Sequence, residues 1–186
     1  MLVTHLNAHP STRTDLVRAL RAAVSWLADG TLRFTFALEA DLARVRIPET
    51  RAACAVDGLW RHTCFEAFLA REGEAEYREL NFSPSREWAG YAFRAYRERI
   101  AAAEPFAPPR ITVRRVDETL ELEAVASVAG LWIDPTKHPL RVGLCAVIEA
   151  VDGRLSYWAL DHAAEVPDFH HRGAFALCLE PPLEQC

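Results

Sequence analysis

Lysine is nearly missing from this chain: Lys137 stands alone among 21 basic residues, the rest being arginine. That bias reads as genome composition and carries no function. Positive charge is also in deficit, 26 acids against 21 bases, and a formal net charge of −5 argues against a nucleic-acid partner. The five cysteines (54, 64, 145, 178 and 186) are odd in number and form no CxxC pair, so neither a disulfide framework nor a zinc site is expected. Cys64, Cys145 and Cys178 sit in apolar runs and read as small core residues. No apolar run reaches the roughly 18 residues of a membrane-spanning helix, so no membrane partner is expected. The start, MLVTHLNAHP, lacks the charged and apolar regions of a signal peptide, and a cytoplasmic protein is expected. P-loop, GxGxxG and CxxCH motifs are missing as well, so no cofactor is predicted.

What is present is ordinary globular material, 51% hydrophobic and 25% charged, with no repeat or linker. The 186 residues read as one domain, 1–186. Met1–Asn7 alternates weakly and suits an edge strand; Thr31–Leu38 alternates clearly, with Leu32, Phe34, Phe36 and Leu38 on one side. Val45–Ile47 reads as a short extended piece. Asp15–Leu27 and Glu87–Tyr96 fit a helix or a strand by periodicity, and the second favours a strand to about Arg94 because its aromatics suit sheets. After a loop around Pro105–Pro109, further strands are expected at Ile111–Val116, Leu120–Val128, Val142–Ala150, Leu155–Leu160 and Ala174–Leu179. Asp117-Glu118 and Asp152-Gly153 fall where hairpin turns belong. Nine or ten short strands without alternating long helices predict an all-β antiparallel β-sandwich.

Residues 57–97 hold the functional signal. Cys64–Ala70 is apolar apart from Glu66, Arg71–Glu76 breaks it, and Tyr77–Phe82 reads as the returning strand before the turn Ser83-Pro84-Ser85. A two-residue loop at Glu72-Gly73 would set Glu66 opposite Glu79; a four-residue loop, Glu72–Ala75, would set it opposite Asn81. Either register puts Glu66, Tyr77, Glu79 and Asn81 on one face. Acids so close repel, and the face then needs an arginine (Arg61, Arg78 or Arg97), a shared proton, a cation or a polar ligand. Were Glu66 and Glu79 about 5–5.5 Å apart, they could also serve retaining glycoside hydrolysis.

The run Trp60…Cys64-Phe65-Glu66-Ala67-Phe68-Leu69, then Tyr77…Asn81-Phe82-Ser83-Pro84, resembles the DOMON-like superfamily, which includes the family 9 carbohydrate-binding modules. The closing stretch Tyr157-Trp158-Ala159-Leu160…Pro167-Asp168-Phe169…Phe175-Ala176-Leu177 is similar to the end of those modules. The resemblance implies a sandwich of antiparallel sheets and a non-catalytic module for a small-molecule ligand, a saccharide or sugar-containing metabolite. By it, Trp60 and Trp158 correspond to two clamp positions around a terminal sugar, while Glu66, Tyr77, Glu79 and Asn81 supply polar contacts. Trp60 also suits a rim residue covering the core, and Trp158, flanked by apolar residues, leans toward packing; Trp26, Trp88 and Trp132 read as packing residues. Some DOMON relatives bind haem through methionine and histidine, but Met1 is the only methionine, which leaves a bis-histidine site as the remaining haem alternative. His170 and His171 point opposite ways on an extended segment, so one metal cannot easily take both; together with His162 they suit a loop or capping role.

Overall fold

The computed structural model describes residues 2–101, 106–127 and 138–181. Met1, Trp132 and Cys186 lie outside them, as do Pro105 and Val128 at the ends of an expected loop and strand. Thirteen strands follow in chain order among the described residues. They are β1 (Leu2–His5), β2 (Asn7–Ala8), β3 (Val17–Trp26), β4 (Leu32–Ala40), β5 (Cys64–Arg71), β6 (Tyr77–Phe82) and β7 (Trp88–Ala95). After these come β8 (Glu98–Arg99), β9 (Arg110–Val116), β10 (Thr119–Ala126), β11 (Leu140–Glu149), β12 (Leu155–Ala159) and β13 (Leu177–Leu179).

Two antiparallel sheets result, as the strand count predicts. The smaller runs β1-β3-β4-β10-β9, and the larger runs β2-β12-β11-β5-β6-β7-β8 with β13 also on β11. Both ambiguous stretches are strands. In β3, Leu20, Ala22 and Val24 lie opposite Leu38, Phe36 and Phe34 of β4, so strand alternation fills the core. The final stretch differs from expectation: Arg172–Ala174 is a short 3-10 turn, and only Leu177–Leu179 pairs as strand. β12 already occupies β11 over Cys145–Glu149, leaving Leu140–Val142 as the free edge. Cys178 is consequently exposed, not core, whereas Cys64 and Cys145 are buried.

The facing sides of the two sheets enclose one core, with Phe36 stacked near Phe65 at 5.0 Å and Phe34 near Phe82 at 5.6 Å between ring centroids. Outside the core the sheets differ. β4 alternates buried and half-buried residues along its whole length, as a sheet with one wet face must. Every residue of β5 before Arg71 and all of β6 are buried, so the larger sheet is covered on both sides. A second apolar cluster covers its outer face, joining Phe68, Tyr77, Phe93 and Val147 to Leu59, Phe169, Ala174 and Phe175 from loops. At Gly143 the cover sits so close that a Cβ would come within 3.1 Å of the Phe175 ring.

Candidate ligand-binding site

The β5–β6 register decides which polar groups share the covered face. Glu66 pairs with Asn81 and Phe68 with Glu79, the register of the four-residue-loop alternative. Glu79 is thus diagonal to Glu66, a separation of about 7–8 Å between such positions in a sheet. The direct opposition required by the tighter loop does not occur. β7 continues the face, with Tyr91 opposite Glu79 and Phe93 opposite Tyr77; β11 places Cys145 opposite Glu66.

From this face Glu66, Phe68, Glu79, Tyr91 and Phe93 line an open pocket of about 430 Å³. Trp60, Tyr91, Phe93, Tyr157 and Phe169 form its aromatic walls, and Glu66, Glu79, Arg97, Arg99 and His170 its polar groups. Trp60 sits on the 3-10 turn Leu59–Arg61, which follows Gly58 in the left-handed region at φ 81°. Its ring is 44% exposed and carries the Arg61 guanidinium 4.9 Å from the centroid.

Trp158 does not join them. It lies in the core between the sheets, and its indole N–H donates to Ser156 Oγ at 3.0 Å. The reason is parity: Val147 pairs with Tyr157 and Ala146 with Trp158, so Tyr157 takes the pocket face and Trp158 the inner one. Tyr77 and Asn81 are on the pocket face but fully buried beneath it. Of the three arginines named from sequence, Arg97 lines the pocket, while Arg61 stacks on Trp60 and Arg78 bonds Glu76 at 2.8 Å.

Burial sets the electrostatics. Glu66 is 2% exposed, and its Oε1 is buried with no hydrogen-bond partner. Burial, then the neighbouring Glu79, pushes its carboxyl well above the usual range. Glu79 accepts a bond from Asn81 Nδ2 at 2.9 Å, yet burial still raises it to about 7 against the pull of Asn81, Arg99 and Arg97. Asn81 Oδ1 is a second buried oxygen without a partner.

On the cover side, the Arg97 backbone N–H donates to Tyr77 Oη at 3.0 Å, and the same hydroxyl is hydrogen-bonded with His170 Nδ1 at 2.8 Å. Burial, with Arg97 adding to it, lowers His170 to about 4. Its Nε2 stands 3.8 Å from Glu79 Oε2. Burial alone would raise the Asp168 carboxyl; hydrogen bonds from Tyr96 Oη at 2.7 Å and Arg97 Nη2 at 2.8 Å hold it below the usual range. His171 caps the following turn by accepting from Gly173 N at 3.1 Å, and His162 Nε2 lies 2.8 Å from Asn7 O. Among the described residues no three His, Cys, Asp or Glu side chains are grouped as a metal site, and no helix is long and apolar enough to cross a membrane.

Sequence reasoning missed Tyr91, Phe93, Arg99, Tyr157 and Phe169. Tyr91 and Phe93 were within reach, since the turn after Phe82 returns residues of the same parity. Phe169 and His170 approach from a loop, where no periodicity exists to extend.

No family model and no curated relative matches the chain. Among solved structures it is similar to a protein of Bacteroides uniformis ATCC 8492 that is named as a proposed carbohydrate-binding protein. The two are 13% identical with a TM-score of 0.66, over 94% of this chain and 84% of that one. A likeness at that identity shows the fold: an all-β antiparallel sandwich similar to that protein.

Proposed function

We propose that this is a non-catalytic binding module of the DOMON-like type for a small saccharide or sugar-containing metabolite, held in the pocket beside Glu66. One observation carries it: Glu66, whose buried Oε1 has no hydrogen-bond partner, lines an open pocket walled by aromatic rings. An unmet buried acceptor costs about 1–3 kcal/mol, and a ligand hydroxyl would meet it. Aromatic side chains offer flat apolar faces to the C–H side of a sugar ring. The name of the similar Bacteroides protein points the same way. Glu66 and Glu79 supply the polar contacts in this reading, Trp60 the stacking surface, and Tyr77 and Asn81 their support from beneath. A cytoplasmic location belongs to the same reading.

The test is a panel of mono- and oligosaccharides and nucleotide sugars read by thermal shift, with any hit titrated against three variants. Trp60→Ala should weaken binding about tenfold, the loss of one stacked ring, by analogy with bases on aromatics. Glu79→Gln should cost less, because the amide still hydrogen-bonds. No shift with any sugar, or a hit indifferent to Trp60→Ala, Glu66→Gln and Glu79→Gln alike, would refute the assignment. Turnover of a glycoside abolished by Glu66→Gln would replace binding with catalysis.

A further inference from the structure

Acidic groups outnumber basic ones around the pocket. Glu66 faces Cys145 from β11, Cys64 on its own strand, Asn81 across on β6 and Glu79 diagonally, with no cation among them. Glu79 meets Asn81, Tyr91, His170, Arg97, Arg99 and Asp57. Both arginines already have acids of their own: Arg97 Nη2 is 2.8 Å from Asp168 Oδ1, and Arg99 Nη1 is 3.7 Å from Asp57 Oδ1. The Arg99 guanidinium also lies 4.3 Å from the Tyr91 ring centroid. His170, lowered by burial to about 4, brings no charge near neutral pH. Four acids therefore share two arginines, and the two acids left without one are the most buried, Glu66 at 2% and Glu79 at 4% exposure.

We propose that the ligand carries a primary ammonium group, seated between the aromatic walls and donating to the unpartnered Oε1 of Glu66. This rests on the saccharide reading and narrows it to an amine-bearing sugar. An ammonium fits on three counts. It supplies a positive charge against which Glu66 can ionise, it donates the hydrogen bond that Glu66 Oε1 lacks, and aromatic faces such as those of Phe93, Tyr157 and Phe169 attract cations. A quaternary ammonium meets only the first and third, because it has no N–H. A neutral sugar meets only the second. Binding carries a proton balance: Glu66, neutral in the empty pocket, releases its proton to solvent as it pairs with the ammonium, which keeps its own. Affinity should therefore rise with pH until the amine itself deprotonates.

The experiment is calorimetric titration at pH 5.5 and 7.0, in two buffers of different ionisation enthalpy. Glucosamine is compared with N-acetylglucosamine and glucose, and ethanolamine with choline. Expected are glucosamine tighter than both neutral sugars by about tenfold, a gap that widens at pH 7.0, and release of about one proton at pH 5.5. Glu66→Gln, with its fold checked by thermal midpoint, should erase the preference, and Glu79→Gln should weaken it. Neutral sugars binding as tightly as glucosamine would overturn the ammonium and leave the saccharide reading standing. Ethanolamine matching glucosamine, with glucose and N-acetylglucosamine silent, would do the reverse. Choline matching ethanolamine, or a preference that survives Glu66→Gln, would overturn the donor role given to the ammonium at Glu66. Silence from every probe overturns both.

Discussion

β4 and β6 feed the same core with alternate residues, yet their outward side chains live in different media. On β4, Arg33, Thr35, Ala37 and Glu39 are half-buried, and Arg33 pairs with Glu123 at 3.6 Å across the strands. Such wet pairs contribute little, about 0–1 kcal/mol. On β6, Tyr77, Glu79 and Asn81 are buried beneath the loops that bring Leu59, Phe169 and Phe175. An acid on the first face is a solvated surface charge. An acid on the second has lost its water and must be partnered, protonated or reserved for a ligand. The cover, more than the strands, takes the water from the larger sheet's outer face.

The sharpest way to break that comparison is to cut into the covered face. Phe68 points outward from β5, yet it is 1% exposed and packs within 5.5 Å of the Phe175 ring and 5.2 Å of His170. Phe68→Ala should therefore behave as a core truncation, costing about 3–5 kcal/mol in denaturant unfolding. Thr35→Ala on the smaller sheet's outer face should change stability by less than about 0.5 kcal/mol. Equal effects at the two sites would mean that the cover is loosely held and the pocket is not preformed.

Strand alternation explains what could be read beforehand and what could not. Leu32 to Leu38 alternates cleanly because one face of β4 is wet, so sequence and structure agree there. Cys64–Ala70 does not alternate, because both faces of β5 are buried; only Glu66 betrays the second face. Hairpin arithmetic placed Glu66, Tyr77, Glu79 and Asn81 together but left two registers open, since loop length is set by turn geometry. Trp158 was placed by likeness rather than by parity, and one residue of slip exchanges it with Tyr157. Phe169, His170 and Phe175 arrive through loops whose docking depends on long-range packing.

Two buried acids on the covered face give a second, smaller contrast. Glu149, buried at 6% exposure against 2% for Glu66, has partners: Arg46 Nε at 3.1 Å, His62 Nδ1 at 2.8 Å, and a salt-bridge geometry that Glu66 lacks. Hydrogen bonds to charged groups net about 1.5–3 kcal/mol, but the Arg46 and His62 side chains are 54% and 64% exposed, which weakens them. Glu149→Gln should destabilise by about 1–2 kcal/mol at pH 7. Glu66→Gln at the same pH should be neutral or stabilising, since it removes an acid that burial disfavours. Two losses of equal size would show that Glu66 has a partner in solution.

The smallest effect, per step, is in the pH dependence, and its direction separates the two acids most cleanly. Glu79 rises from 4.5 to about 7 on folding, so it contributes stability that is whole below pH 4.5 and lost as pH climbs through 7. His170 falls from 6.5 to about 4, so its contribution is whole above pH 6.5 and lost as pH drops through 4. Between 4.5 and 6.5 these two slopes oppose each other. Glu66, raised by burial and then by the neighbouring Glu79, adds its own loss as pH rises. Comparing wild type with Glu66→Gln cancels the shared terms. The difference in unfolding free energy should move toward the variant by about 1.4 kcal/mol per pH unit above 4.5, for as long as Glu66 stays protonated in the folded protein alone. Urea unfolding at pH 5, 6, 7 and 8 reads this directly. Parallel curves would mean that Glu66 ionises normally in the fold. The covered face would then be as wet as the outer face of β4, and the contrast between the two sheets would fail at its centre.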